Sequence, residues 1–249
     1  MRMTLAQIAA RHDTDKTQSG YLEHYEKRVG HLRDMPIKLL ELGVLRGGSL
    51  LMWHKYFTRG LIVGVDLSPN PLTEATDRIR FYQGAQEDAS LLDRISQECA
   101  PEGFDIIIDD ASHIGTLTRA SFQCLFMKHL KSGGVYVIED WGTGYWDSWA
   151  DGSCYSHAGI DSCGDRSSRA SFSPKATIMP GDLLSERPQK DADFPSHNFG
   201  MVGFIKELVD EVAWPDITHL VRGNQDLPKR PSMIREITIS FGLAFIVKA

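Results

Sequence analysis

The sequence predicts an α/β fold: a doubly wound, mostly parallel sheet of seven strands, closed by an antiparallel C-terminal hairpin. Three observations carry this. From Ile37 onward, short apolar runs alternate with helix-like patterns, the mark of a parallel sheet with crossover helices. The runs are apolar at nearly every position, so both faces of the sheet must be covered. The closing stretch MIREITISFGLAFIVKA holds two strand-like runs joined so tightly that they must pair antiparallel.

In chain order, the opening 1–36 form an N-terminal segment whose stretch DTDKTQSGYLEHYEKR (13–28) reads, on charge content alone, as a solvated amphipathic helix. Strands follow at IKLLELG (37–43), LIVGVDL (61–67), IRFYQG (79–84), FDIIIDD (104–110) and GVYVIED (134–140). Helices are expected in SLLMWHKYF, DASLLDRISQECA and TLTRASFQCLFMKHL, the last of them ended by Gly133 and Gly134. Between 142 and 195 the pattern dissolves into Gly, Ser, Asp and aromatics, which in a compact domain points to a functional lid or to disorder. Helix resumes in SHNFGMVGFIKELVDEV, with Ser196 as N-cap and Phe199, Val202, Ile205, Leu208 and Val209 as the buried stripe. The hairpin runs are 234–240 and 244–248.

A length of 249 residues suits one large domain over 1–249. The 27 basic and 33 acidic residues give a net charge of -6, with no Lys/Arg run able to track a phosphate backbone, so nucleic acid is disfavoured and a small molecule is the expected partner. No segment approaches the ~20 apolar residues that span a bilayer, and the start lacks the apolar core of a signal peptide. A cytoplasmic protein is expected. Of the four cysteines, Cys99 and Cys124 read as buried free thiols. Cys154, His157 and Cys163 offer three irregularly spaced zinc ligands, and reduced thiols in a polar loop are the preferred reading.

The chemistry-bearing residues lie at strand ends. The first strand runs into ELGVLRGGS, whose glycines 43, 47 and 48 let the backbone turn tightly and approach a ligand. The spacing is neither GxGxxG nor a Walker loop, which disfavours NAD and ATP. The second strand ends in Asp66, placed to accept ribose hydroxyls, and GAQEDA follows the third. The runs IIIDDASH and VYVIEDW end in paired acids, Asp109 with Asp110 and Glu139 with Asp140, on strands expected to be neighbours. Like charges that close need a compensating cation or shared protons. Since successive strand residues point to opposite faces, Asp110, Glu139 and Asp140 are taken as the converging set, and three hard oxygens suit Mg²⁺. Trp141, Tyr145, Trp146 and Trp149 offer an apolar wall for an acceptor or a small loop core of their own.

Read jointly, ELGVLRGGS, VDLS and GAQED resemble the S-adenosylmethionine site of class I methyltransferases. The resemblance implies a Rossmann-like fold with the antiparallel terminal hairpin. It places Glu41, Gly43, Gly47 and Gly48 along the amino acid part of the cofactor, Asp66 at the ribose, and Gln86 and Asp88 at the base, with Asp109 also on the cofactor side. The 13–28 stretch is similar to the TDK…HxY element of deoxysugar O-methyltransferases of the mycinamicin and tylosin type, with Thr14, Asp15, Lys16, His24 and Tyr25 in the matching places; there it helps cover the cofactor. DASH at 110–113 and ED at 139–140 resemble the metal and base motifs of the same group, implying a Mg²⁺ site at Asp110, Glu139 and Asp140, with His113 as base and His197 as the alternative. The resemblance thus implies a metal-dependent transfer of the methyl of S-adenosylmethionine to a sugar hydroxyl of a glycoside, by a homo-oligomer. A catechol-type phenolic O-methyltransferase, a related metal-dependent hydroxylase and a non-catalytic binding protein are the rivals.

Overall fold

The computed structural model describes residues 2–72, 76–158 and 196–249. Seven strands form one sheet: β1 (Lys38–Leu42), β2 (Leu61–Asp66), β3 (Ile79–Gln83), β4 (Phe104–Asp109), β5 (Leu130–Glu139), β6 (Ile234–Ser240) and β7 (Leu243–Lys248), in the order β3-β2-β1-β4-β5-β7-β6. All neighbouring pairs are parallel except β5 with β7 and β7 with β6. The order reverses between β1 and β4, and such a switch point leaves a crevice outside the carboxyl ends of the strands.

Helices cover both faces, as the unbroken apolar runs require. On one side lie α4 (Ala89–Cys99), α5 (Gly115–Lys128) and α7 (Gly200–Ile217), which bury Leu92, Ile95, Phe122, Phe126, Phe204 and Leu208. On the other lie α1 (Leu5–Ala9), α2 (Leu22–Val29) and α3 (Gly48–Tyr56), which bury Leu5, Ile8, Tyr25, Trp53 and Tyr56. The N-terminal segment is therefore part of the second core and no solvated helix. One more helix, α6 (Ala150–Ala158), follows a 3₁₀ turn at Trp141–Tyr145. Buried Asp151 on α6 accepts from Gly115 N (2.8 Å) and Met201 N (2.7 Å), so one carboxylate satisfies orphan donors in the first turns of both α5 and α7. No helix among the described residues is long and apolar enough to cross a membrane.

Several local expectations are corrected. Gly133 and Gly134 do not end α5, which stops at Lys128; they sit inside β5, where the register with β4 shifts between Phe104 and Ile106. Ser196 is not the N-cap of α7, which starts at Gly200 after Phe199; its hydroxyl instead accepts from the Lys206 ammonium (2.8 Å). Val209 is exposed, whereas Phe199, Val202, Ile205 and Leu208 are buried. The start of the 142–195 stretch is ordered as the 3₁₀ turn and α6, and the part of the expected lid from 159 to 195 lies outside the described residues. Cys99 and Cys124 are buried free thiols, but Cys154 is disulfide-bonded rather than reduced; Cys163 lies outside the described residues.

Phe122 is the packing centre of the first face, stacked on Phe126 (centroids 4.4 Å) and edge-on to Tyr136 and Phe204. Truncating a fully enclosed ring loses both its transfer energy and its partners' contacts. Phe122→Ala is expected to lower unfolding free energy by about 3–5 kcal/mol, read by urea denaturation with an unchanged slope.

Candidate active site

The crevice at the switch point is a cavity of about 540 Å³, with walls from three sources. The glycine loop after β1 gives Gly43 to Arg46, Gly48 and Ser49; the ends of β2 and β3 give Asp66 to Ser68, Gly84, Gln86 and Glu87; the ends of β4 and β5 give Asp110 to His113 and Asp140. Asp13, Thr14 and Asp15 of the N-terminal segment and Trp149 complete it. The loop is tight because it has to be. Gly43 sits at φ +85°, where a Cβ would lie 2.0 Å from the Asp110 carbonyl, and a Cβ on Gly48 would lie 1.8 Å from the Asp13 carbonyl. Gly47, at φ +82°, starts α3 as its N-cap.

Asp66 holds this loop. Its Oδ2 accepts from Val44 N (2.8 Å) and Leu45 N (3.0 Å) and its Oδ1 from Ser68 N (2.8 Å). Burial alone would raise its pKa, but these backbone donors outweigh burial and hold the carboxyl below its ordinary value.

The four paired acids divide. Asp109 points beneath the cavity floor, fully buried, and accepts from Gln86 Nε2 (3.1 Å) and Tyr136 OH (3.1 Å). Gln86 in turn accepts from Ser112 N (3.0 Å) and donates to Ser121 Oγ (3.1 Å). Both brace the floor, with their polar groups spent on the protein. Glu139 is buried and turned inward: its Oε1 accepts from Tyr25 OH (2.5 Å) and Lys16 Nζ (2.8 Å). Lys16 Nζ also reaches Asp110 Oδ2 (2.6 Å) and Glu41 Oε1 (3.4 Å). Burial opposes the charge on Lys16, yet these three carboxylates outweigh it and hold the ammonium well above its usual pKa. With one cation to three acids, Glu41, Asp110 and Glu139 are all pushed up, by burial first.

Asp110 and Asp140 face the cavity with His113. Ligand atoms of these three lie within 4.8 Å of one another, with His113 Nε2 3.9 Å from Asp110 Oδ1 and 3.8 Å from Asp140 Oδ2. Tyr21 OH donates to Asp140 Oδ1, and Trp149 stands edge-on to His113 (5.2 Å). Leu45, His113 and Asp140 are the non-glycine residues of positive φ among those described, and all three line this cavity. Strained backbone of this kind costs about 1–3 kcal/mol per residue and collects at functional sites.

Several expected placements change. Lys16 and Tyr25 do not line the cavity; they belong to the buried ion cluster behind it, as does Glu41, whose oxygens accept from Ser49 Oγ (2.8 Å) and Trp53 Nε1 (3.3 Å). Asp88 is exposed and caps α4, accepting from Ser90 N and Leu91 N, while Glu87 lines the cavity in its place. Glu139 is outside the trio that faces the cavity, because Lys16 and Tyr25 hold it inward. His197 does not line the cavity. It is buried between Tyr145 and Tyr155, its Nδ1 accepts from Phe199 N (3.2 Å), and burial lowers its pKa. Of the four aromatics, Trp149 alone faces the cavity; Trp141 donates to Ser240 O (3.1 Å), Tyr145 packs on His197, and Trp146 is exposed. Tyr21 was not expected. Its signal was faint: a single tyrosine in a polar stretch, with nothing local to mark its partner.

No family model matches the chain. The chain is 41% identical over 153 residues to mycinamicin VI 2''-O-methyltransferase of Micromonospora griseorubida and 39% identical over 152 residues to L-olivosyl-oleandolide 3-O-methyltransferase of Streptomyces antibioticus. Its relatives are sugar O-methyltransferases. The first alignment takes 57% of this chain and 37% of the relative, and the second 57% and 38%. The solved structure of the MycE methyltransferase of the mycinamycin pathway, in complex with Mg and SAH, superposes with a TM-score of 0.67 at 28% identity, over 100% of this chain and 55% of that one. The chain thus spans about half the length of MycE and matches under two fifths of these sugar O-methyltransferases. The fold is that of the class I methyltransferases.

The cavity floor offers a pH test. Burial raises the Asp109 carboxyl to about 6, from an unfolded value of about 3.9, so the fold favours its neutral form. That contribution is complete below about pH 4 and lost as the pH rises through about 6. The stability difference between Asp109→Asn and the parent should therefore move in the variant's favour between pH 4 and 8, by on the order of 2–3 kcal/mol. Parallel pH profiles in urea denaturation would show that Asp109 is ionised at no cost.

Proposed function

We propose that the chain transfers the methyl group of S-adenosylmethionine to a hydroxyl of a deoxysugar on a natural-product glycoside, assisted by Mg²⁺. The observation that carries this reading is a single cavity with the Asp66-braced glycine loop on one wall and Asp110, His113 and Asp140 on another. Relatives at 39–41% identity carry sugar O-methyltransferase names, and MycE has been solved with Mg, SAH and mycinamycin VI.

The donor set fits the metal. Asp110 and Asp140 are hard oxygen ligands on adjacent strand ends, close enough to share one small cation with room for water or substrate oxygens. When bound there, Mg²⁺ would polarise the acceptor hydroxyl and lower its pKa. The chain's own residues do the rest. Asp66 fixes the loop amides and keeps lone pairs for the ribose hydroxyls. Asp110 and Asp140 orient the acceptor oxygen in line with the sulfonium methyl. His113 Nε2 takes the hydroxyl proton as the O–CH₃ bond forms and the S–CH₃ bond breaks, leaving a neutral thioether, and both carboxylates stabilise the resulting imidazolium. His113 serves better than His197, which is walled off by tyrosines. Trp149, beside His113 and partly exposed, offers an apolar face to the sugar ring.

The test is the mass of the product after incubation with S-adenosylmethionine, Mg²⁺ and a panel of deoxysugar glycosides and catechols. A gain of one CH₂ on a glycoside is expected, abolished by chelator; catechol turnover alone would move the acceptor class. His113→Ala should lower kcat by about 10²–10⁴-fold and leave the Mg²⁺ requirement unchanged. Asp66→Ala should weaken S-adenosylmethionine by about 1–3 kcal/mol in calorimetry, because ribose and loop lose a charged acceptor together. Undiminished affinity would remove Asp66 from the cofactor site.

A further inference from the structure

Tyr21 has no part in the methyl transfer as proposed, yet it is about 4% exposed and its hydroxyl donates to Asp140 Oδ1. Asp140 needs such a partner. Its backbone is pinned, because its carbonyl accepts from Thr143 N (3.0 Å) and Thr143 Oγ1 (2.8 Å), but its side chain is 40% exposed. Among the described residues, Tyr21 is the one hydrogen-bond donor to its carboxylate. Asp110 carries a like charge close by, with ligand atoms of the two acids within 4.8 Å of each other. A partly exposed carboxylate beside another turns toward water unless a donor holds it. The phenol holds Oδ1, and Oδ2, 3.8 Å from His113 Nε2, is left for the cavity.

The hairpin seats Tyr21 in turn. Its turn residue Gly242 has φ +69°, and a Cβ there would lie 1.8 Å from Tyr21 OH and 2.6 Å from Tyr21 Cζ. The Phe241 ring stands 6.0 Å from that of Tyr21, and Trp141 Nε1 donates to Ser240 O (3.1 Å), which ties the chain just after Asp140 to the same turn. Donor and acceptor are thus fastened to one hairpin.

We propose that Tyr21 is a positioning residue for the divalent ion: its hydroxyl, admitted by the side-chain-free turn at Gly242, holds Asp140 in the site and presents it through the single oxygen Oδ2. Tyr21 touches neither ion nor acceptor and acts through Asp140. A carboxylate that offers one oxygen leaves more of the ion's coordination positions to water and to the acceptor hydroxyl. The inference rests on the Mg²⁺ reading for the identity of the ion, and the experiment separates the two.

Mn²⁺ is titrated into the parent chain, Tyr21→Phe, Gly242→Ala, the combination of these two, and Gly133→Ala, free Mn²⁺ being read by electron paramagnetic resonance without substrate; the parent and Tyr21→Phe are also crystallised free of metal. Tyr21→Phe keeps the ring and loses only the donor, and it is expected to weaken Mn²⁺ binding about 10–100-fold. Gly242→Ala should give a loss of the same size, because its Cβ takes the place of the phenol oxygen. The combination should bind no more weakly than either variant alone, since both remove one hydrogen bond. Gly133→Ala, at φ +77° with its Cβ 3.9 Å from Arg235 Nη1, carries similar backbone strain away from the site and should bind like the parent. A tyrosine that only braced the fold would change thermal stability and leave Mn²⁺ affinity alone, so parent-like affinity in Tyr21→Phe overturns the proposal. Multiplied losses in the combination, or a loss in Gly133→Ala as large as that in Gly242→Ala, overturn it too, because the turn would then act by another route. In the crystals Asp140 should point into the cavity in the parent and turn away from Asp110 in Tyr21→Phe; an unmoved carboxylate overturns the proposal. If Gly242→Ala does not fold, Tyr21→Phe and the crystals decide. A parent that binds no Mn²⁺ sinks the metal reading, and the metal-free crystals still decide the hold on Asp140 by the same criterion.

Discussion

Three carboxylates, Glu41, Asp110 and Glu139, crowd the ends of three adjacent strands, and the rest of the structure is arranged around the need to compensate them. Removing a carboxylate from water costs several kcal/mol unless a partner of opposite charge and further hydrogen bonds replace the lost hydration. Lys16 supplies the charge. Tyr25, Ser49 and Trp53 supply the remaining donors, from α2 and α3. This requirement explains why the N-terminal segment is packed as core: α1 and α2 bury Leu5, Ile8, Leu22 and Tyr25 against the sheet, and that burial delivers Lys16 to the acids. It also explains why Asp13 and Thr14 form a cavity wall. The chain that carries the ammonium inward has to cross the mouth of the crevice.

The sheet was legible in the sequence because its strands are nearly continuous apolar runs, and each run named from the pattern overlaps an observed strand with ends differing by four residues at most. The glycine loop was legible for a similar reason, since Gly43 and Gly48 permit backbone approaches that any Cβ would block. The ion cluster was not. A lysine in a polar, charged stretch reads as solvated or as a ligand to something bound, and no local pattern shows that it faces three acids from residues as distant as Glu139. Asp88 misled for the opposite reason. An acid just before a helix has a local use as N-cap, and that use took precedence over the cavity.

The two histidines show what spacing conveys and what it does not. His113 follows Asp110 by three residues in a turn whose positive φ brings its ring back over the acids, so a short motif was enough to place it. His197 stands before α7, and the environment of its ring is built by Tyr145 and Tyr155, residues far away in sequence. A cluster of metal-ligating type elsewhere, Asp93 with Cys124 and His129, is likewise made by packing. There α4 meets α5, and the groups satisfy one another: His129 Nε2 lies 2.6 Å from Asp93 Oδ1, and Lys128 Nζ lies 3.5 Å from Asp93 Oδ2.

The antiparallel hairpin closes the sheet and also acts on the site. β7 pairs with β5 so that Leu243 lies opposite Glu139, which brings the turn at Phe241 and Gly242 to the acidic end of β5. A Cβ on Gly242, at φ +69°, would lie 1.8 Å from Tyr21 OH. Tyr21, with its ring near that of Phe241, therefore fits only because the turn has no side chain at that point, and its hydroxyl is directed to Asp140. Asp140, at φ +52°, has its carboxylate aimed into the cavity by backbone strain and by this one donor. The N-terminal segment and the C-terminal hairpin meet at the same residue: Lys16 fixes the acid on β4, and Tyr21, held by the hairpin turn, fixes the acid after β5. The geometry between Asp110 and Asp140 is thus set by elements from both ends of the described chain, and neither strand end alone would determine it.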